Sequence, residues 1–445
     1  MKQYQRFIFE SYEFNPDIRV ISLHYSLDDE LHFTETFTLP GELDINPHHP
    51  DLDRALFALH LSGGASYYKT YCPRAIEIRS GQLSASQAKF WNELYTHGLG
   101  EFFYRNQLDF RGLIKFPSHR DIHEPNPQTP SPRTPKRALV PFGGGKDSIV
   151  STEILRQGEL DLSLLRVKPH ALITTLAATA SLPLIEVERT IDQKLLDSSL
   201  PDAYLGHVPI TAHLSFLAIV VSLLAGYDSV FFSNERSSSY GNVDYLGMEV
   251  NHQWSKSLES EQALRAYISA HVTPDVQYLN VVRPLSELHI AKIFTRYPEY
   301  FNLATSCNLN WRLVEHDPGQ PRWCGHCPKC AFTFALMAAF LPSDTVIEMF
   351  GRNLFDNAAL LPLYRQLWGT EGFKPFECVG TPEEAQAACY LAQNQPGFAG
   401  TPVIKAFQQE VKLASPDQLV HELMTPNFKL SPPITKELLA KGGVA

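Results

Sequence analysis

The sequence predicts an α/β fold: a doubly wound parallel sheet, preceded by a strand-rich segment and followed by a helical one. Three observations carry this. From Arg137 onward, short apolar runs alternate with helical stretches, the pattern of repeated strand–helix–strand units. The first run, Ala138–Phe142, passes directly into three glycines and then a helix from about Asp147. Ahead of it, residues 5–39 alternate apolar and polar positions with the period of two that marks a half-buried strand.

Taken in order, Ile21, Leu23 and Tyr25, then Leu31, Phe33, Phe37 and Leu39, predict a meander turning at Asp28–Asp29 with one buried face. Helices are expected near Asp53–Leu61 and Gln87–Tyr104. No chemistry is visible in residues 1–116, which read as an N-terminal α+β part. Six prolines between Pro117 and Pro135 remove amide donors and fix φ, so 117–136 is expected to be a linker or surface strap. In the core, 137–342, the helix from Asp147 should stop at Gly158. Further strands are expected at His170–Thr175, Leu184–Val187 and Asp228–Phe232, with a helix at His213–Ala225. Residues 343–445 look helical, and Thr381-Pro382-Glu383-Glu384 is a capping box with proline at the first helical position.

Composition narrows the function classes. With 38 Lys+Arg against 48 Asp+Glu the formal charge is −10, which disfavours nucleic acid as a partner. The 44% apolar content, with 27 Phe and 18 Tyr, excludes a largely disordered chain. The stretch MKQYQRFIFESYEF lacks the pattern of a secretory signal. The most apolar stretch, Leu214–Gly226, is shorter than the ~20 residues of a spanning helix. Seven cysteines in 445 residues make no disulfide scaffold, so a cytoplasmic location and no membrane partner are expected.

The sharpest signal is Gly143-Gly144-Gly145-Lys146-Asp147-Ser148. Glycines let the backbone turn tightly and present bare N–H groups, the helix adds its positive end, and Lys146 and Ser148 add a charge and a hydroxyl. Together they form a phosphate cradle. It is not a Walker A loop, which needs glycine where Val140 sits and Ser or Thr where Asp147 sits. Nor is it the dinucleotide fingerprint. It resembles the Ser-Gly-Gly-x-Asp-Ser loop of the ATP-pyrophosphatase (PP-loop) family, with Gly143 in place of the first serine. That resemblance implies an adenine nucleotide alpha hydrolase-like core in which the loop grips the pyrophosphate end of ATP.

The second signal is Cys324-Gly-His-Cys327-Pro-Lys-Cys330 with Cys307 upstream. Cys-x2-Cys spacing brings two sulfurs to one ion and a second pair completes a tetrahedron, which suits a structural Zn²⁺. An iron–sulfur cluster is the competitor. Cys72, Cys378 and Cys389 read as isolated thiols. A third region, 233–257, follows the strand Asp228–Phe232 and is dense in polar residues. Ser233, Asn234, Glu235 and Arg236 should sit at the strand's C-terminal edge facing the glycine loop, with Asn242 beyond them. His207, before the most apolar helix, reads as a helix-entry residue or an acid/base group.

A PP-loop core followed by this cysteine pattern resembles cyano-deazaguanine synthase over about residues 137–340. The complete arrangement of FGGGKDS, SNERSSSYGN, CGHCPKC and a tail bearing KPFECVGTPEEA is similar to the family of ATP-dependent UDP-N-acetylmuramoyl-L-alanyl-L-glutamate epimerases. That resemblance implies inversion of the terminal L-glutamate of a UDP-linked muramoyl dipeptide in peptidoglycan precursor synthesis, through an acyl-adenylate, with release of AMP and diphosphate. It further implies that Gly143–Gly145, Lys146 and Ser148 hold the pyrophosphate and that Asp147 assists Mg²⁺ or the turn. Glu235, His207, Asp244 and His252 are the candidates for the proton shuttle. The rivals are an amide-forming adenylating ligase, a transfer-RNA thiolase and a non-catalytic zinc-knuckle module.

Overall fold

A computed structural model describes residues 3–122, 134–196, 199–311 and 321–444. Most of the predicted proline-rich linker, 123–133, lies outside them. The strands are β1 (Arg6–Asn15), β2 (Val20–Leu27), β3 (Leu31–Thr38), β4 (Ala75–Ile78), β5 (Arg137–Pro141), β6 (Asp161–Val167), β7 (Leu184–Thr190), β8 (Ser229–Phe232), the hairpin pair β9 (Val243–Tyr245) and β10 (Met248–Val250), and β11 (Gln277–Asn280). All but the hairpin form one sheet in the order β11-β8-β5-β6-β7-β3-β2-β1-β4. The run from β11 to β7 is parallel. At β7 the sheet becomes mixed, because β3 pairs antiparallel with it through Thr36–Thr190, Phe37–Arg189 and Thr38–Glu188. The predicted meander is therefore a continuation of the core sheet. Its β2–β3 turn uses Asp28 and Asp29 at φ +54° and +60°, the left-handed pair that matches the twist of a hairpin.

Helices cover both faces. The N-terminal ones are α1 (Leu52–Gly63), α2 (Ala65–Tyr68), α3 (Ala85–Gly98) and α4 (Gly100–Arg105). The core contributes α5 (Lys146–Gln157), α6 (Ala171–Ala180), α7 (Ile210–Ala225), α8 (Leu258–Tyr267), α9 (Glu287–Phe294) and α10 (Pro328–Ala338). The tail adds α11 (Ser343–Phe350), α12 (Leu361–Trp368), α13 (Pro382–Ala392), α14 (Pro402–Glu410), α15 (Pro416–Met424) and α16 (Pro433–Lys441). Successive strand residues alternate between two cores. Ala138, Val140 and Phe231 face α5, α6 and the C-terminal helices, whereas Leu139, Val230 and Phe232 face α1, α3 and α7. A strand buried on both faces reads as a continuous apolar run, which is why these were visible in the sequence.

Two expectations change. His170–Thr175 is not a strand: His170 caps α6, its Nδ1 accepting from Leu172 N at 3.2 Å. Ile173, Leu176, Ala177 and Ala180 then face the core with helical spacing. The strand is the preceding Asp161–Val167. The predicted helix Gln87–Tyr104 is two, broken at Leu99. Among the described residues, no helix is long and apolar enough to cross a membrane.

Candidate active site

The strand order places β5 between β6, which follows it in sequence, and β8, reached after the chain has returned. Ligands bind at such reversals, beyond the C-terminal strand ends. A cleft of about 590 Å³ opens there, within the usual range for small-molecule sites. Pro141–Gly143 at the end of β5, Leu165–Val167 of β6 and Phe232–Asn234 at the end of β8 all line it.

The glycine loop forms its floor. Gly144 has φ +75° and an added Cβ would meet Ile173 Cδ1 at 2.6 Å, so only glycine fits that turn. Its carbonyl accepts from Thr305 N at 3.0 Å. Gly143 has nothing within 4 Å of an added Cβ. Gly145 begins α5 with no side-chain cap, which leaves the first-turn amides available to an anion. Asp147 and Ser148 line the cleft, with Ser148 Oγ donating to Gly145 O at 3.0 Å.

Lys146, expected among the residues that hold the pyrophosphate, is buried and only 9% exposed. Its ammonium bonds Asp147 Oδ1 at 2.6 Å and the Glu287 carboxylate. Burial opposes its charge, yet these two carboxylates raise its pKa. Burial and then Asp147 raise Glu287 well above the carboxylate range, and the same two causes raise the buried Glu235.

The segment after β8 divides. Ser233 and Asn234 line the cleft, and the Asn234 amide Nδ2, on a side chain 4% exposed, has no partner among the described residues. Arg236 turns away, donating to the carbonyls of Thr425 and Leu423 at 3.3 and 3.5 Å. Asn242 acts as a tether: its Nδ2 donates to Lys374 O and Pro375 O at 3.1 and 2.9 Å, and its Oδ1 accepts from His252 N at 2.8 Å. Asp244 is exposed on the β9–β10 hairpin and lines a separate polar groove with Tyr240 and Glu249.

His207 and His252 both reach the cleft, their rings 4.6 Å apart. Glu101, from α4, bonds His252 Nδ1 and lies 3.6 Å from His207 Nδ1. Burial and the neighbouring His252 lower His207 to about 3. His252 is the opposite: burial works against its charge, but hydrogen bonds to Cys378 and Glu101 raise it to about 9. Sequence spacing gives no sign of Glu101, Glu287 or Lys256, and Cys378, expected to be an isolated thiol, stands among polar neighbours instead. Cys378 is half-buried in the cleft wall, and Lys256 Nζ donates to its sulfur at 3.3 Å. Its sequence signal is its place in KPFECVG, next to Glu377.

The four cysteines converge as expected. Their sulfurs all lie within 4.8 Å of one another, with Cys324–Cys330 at 3.6 Å and Cys327–Cys330 at 3.5 Å. Metal–sulfur bonds of about 2.3 Å in a tetrahedron need sulfurs roughly 3.8 Å apart, so the set fits Zn²⁺ with little adjustment. The knuckle also shapes the cleft. Cys327 precedes α10, whose Lys329 lines the wall, while Thr305, Ser306 and Asn308 flank Cys307 in the same wall.

Two family models match the chain, and neither ends at the boundaries expected from the sequence. The MurL N-terminal domain matches residues 1–281 and the MurL C-terminal domain residues 303–421. The UDP-N-acetyl-alpha-D-muramoyl-L-alanyl-L-glutamate epimerase of Salinispora tropica is 38% identical over 91% of this chain and 89% of its own length. Proteins of the same name from Xanthomonas oryzae pv. oryzae and a Micromonospora species are 37% and 35% identical. They cover 88% and 98% of this chain and 87% and 98% of their own lengths.

Proposed function

The chain belongs to the MurL family, and from that premise we propose that it epimerises the terminal L-glutamate of UDP-N-acetylmuramoyl-L-Ala-L-Glu to D-glutamate in peptidoglycan precursor synthesis. We further infer that it does so by ATP-dependent activation on a PP-loop core, with release of AMP and diphosphate. The observation that carries this is the single cleft that holds both the uncapped start of α5 and the His207–His252 pair. A phosphate cradle has no use in a cofactor-free epimerase. A pair of imidazoles has no use in a plain nucleotide-binding module.

The chemistry needs both. Removing the α-proton of a free carboxylate places a second negative charge beside the first. Joining the carboxylate to AMP cancels that charge and brings an enolate within reach. The N–H groups at the start of α5 and Ser148 would bind the phosphates, and Lys146 would hold Asp147 and Glu287 in place beneath them. Asp147, in the wall beside the loop, would hold Mg²⁺, which supplies positive charge against the phosphate oxygens. The cysteines would hold Zn²⁺, which fixes the Cys307 loop against α10. Glu235 is buried behind the loop, and its role would be to complete the carboxylate–lysine layer there. The acid/base work falls to the histidine side of the cleft.

The test is isotopic. In D₂O each molecule of D-epimer should carry deuterium at the α-carbon and appear with one AMP and one diphosphate. ATP cleavage with the α-hydrogen retained and nitrogen incorporated would mean an amide-forming ligase. Deuterium without ATP consumption would remove the adenylation step.

A further inference from the structure

We propose that Cys378 is the residue that exchanges the α-proton of the activated glutamyl group, with His252 and Lys256 holding its sulfur as the thiolate. The proposal rests on the epimerase reading above and names the group on the histidine side of the cleft that takes the proton. Four observations carry it.

The first is position. Cys378 lines the same cleft as the glycine loop, His207 and His252, and its side chain is half-buried there. The second is its partners. Lys256 Nζ donates to the sulfur at 3.3 Å, and His252 lines the same cleft and favours the charged form of that sulfur. Glu101 sits on His252 Nδ1 from behind, so carboxylate, imidazole and thiol stand in a row, an order that activates a sulfur nucleophile or base.

The third is rigidity. The segment carrying Cys378 is fastened on both sides. Asn242 Nδ2 holds the carbonyls of Lys374 and Pro375, Asn308 Nδ2 holds both Glu377 oxygens at 2.6 Å, and Gln253 Nε2 donates to Val379 O at 3.3 Å. A proton-transfer group must be placed this closely. The fourth is charge. Burial disfavours a thiolate, but Lys256, Lys329 and His252 outweigh it and hold the thiol well below its ordinary range. A half-buried anion beside three potential cations is poised to take a proton, and a solvated structural cysteine has no such surroundings.

The step balances without an added reagent. The α-C–H bond breaks, its proton goes to Cys378 Sγ, and its electron pair enters the activated acyl group as an enolate. A new C–H bond forms on the opposite face with a proton from water. Cys378 then returns its proton to water past His252, restoring the thiolate.

The experiment compares Cys378→Ser and Cys378→Ala with the parent by the ratio of D-epimer to AMP, using UDP-N-acetylmuramoyl-L-Ala-L-Glu and ATP. Serine keeps the volume and the hydrogen bonds but is a far poorer base at neutral pH. The parent ratio should be close to one, and in both variants it should fall at least ~100-fold, with AMP released from substrate whose α-hydrogen is retained in D₂O. A ratio preserved in Cys378→Ser would assign the thiol a purely structural role and overturn the proposal. So would loss of AMP and epimer in equal proportion. A parent that forms no ATP-dependent epimer would instead overturn the underlying reading, and Cys378 with it. Alkylation by iodoacetamide gives a readout independent of turnover: Cys378 should react well below pH 8.5, and Lys256→Met should move that profile upward. An ordinary thiol profile in the parent would remove the thiolate.

Discussion

Glu384 Oε1 accepts the backbone N–H of Glu287 at 2.8 Å, tying the start of a C-terminal helix to the carboxylate that holds Lys146. The same oxygen accepts from Ser237 Oγ at 2.5 Å, and Oε2 accepts from Thr381 N at 2.8 Å. One capping-box side chain therefore joins α13, α9 and the segment after β8. Glu384→Ala should cost about 3 kcal/mol, from a lost cap plus buried donors left unpaired. Glu384→Gln, which keeps one acceptor oxygen, should cost less. Urea unfolding measures both, and equal midpoints for Glu384→Ala and the parent would show that the junction bears no load.

The buried pair below it gives a second expectation. Lys146→Met leaves the buried Glu287 and the cleft-facing Asp147 without their cation. Removing one partner of a buried pair typically costs about 3–5 kcal/mol. The double variant Lys146→Met/Glu287→Leu should recover most of that loss, because only Asp147, which faces the cleft, then lacks its cation. If Lys146→Met unfolds at the parent's urea concentration, the ammonium is not serving Glu287.

These two residues mark what the sequence could and could not disclose. Gly143–Ser148 and Cys324–Cys330 are contiguous, so their chemistry is written in local spacing. Glu101, Lys256, Glu287 and Cys378 come from four distant segments, and only the folded sheet with its tail brings Lys256 and Cys378 into the cleft wall and sets Glu101 and Glu287 against His252 and Lys146. None has a periodic or paired neighbour to announce it. The sheet behaves likewise. Each strand of the meander shows its own alternation, but the pairing of β3 with β7 joins residues 150 or more positions apart and leaves no local mark. Misplacing a strand at His170–Thr175 has the same origin, since a short apolar run fits either period until its partners are known.

The cysteine cluster predicts a metal content. Purified protein should carry about one zinc per chain, and Cys330→Ser should lose it together with thermal stability. Because Lys329 and Thr305 reach the cleft beside the knuckle, that variant should also raise KM for ATP. Iron with labile sulfide, or no metal at all, would overturn the zinc assignment.

Stability should fall in mild acid, and the sign can be worked out. Burial lowers the His60 pKa to about 3. The unfolded chain, with its histidine near 6.5, binds a proton that the folded one refuses. Stability is then lost as pH falls from about 6.5 toward 3, by up to ~1.4 kcal/mol per pH unit for one proton. His207 and His289, lowered to about 3 and about 4, add in the same direction. Glu35, held at about 2 against its burial by Arg189 and His213, adds a loss below about pH 4.5. Thermal unfolding of His60→Gln between pH 6.5 and 4.5 should show a slope shallower by one proton. An unchanged slope would mean that His60 is protonated in the folded state.

The last prediction concerns catalysis. His252 must stay cationic if it is to hold the cleft's sulfur as an anion, and its pKa of about 9 sets where that charge is lost. Activity as kcat/KM should therefore decline as pH rises through about 9. Burial and the ring of His207 bear on the same imidazole, and the Glu101 carboxylate at Nδ1 is one of the two partners that raise it. Glu101→Gln keeps an acceptor at that nitrogen and removes the charge. Its alkaline limb should move to lower pH by roughly one to two units, the usual effect of losing an adjacent opposite charge. The acid-side profile and the AMP yield per turnover should move less, because neither depends directly on that carboxylate. Should Glu101→Gln lower activity uniformly at every pH, the carboxylate orients the ring without setting its charge. An alkaline limb that stays in place while the rate is retained would take His252 out of the proton chemistry.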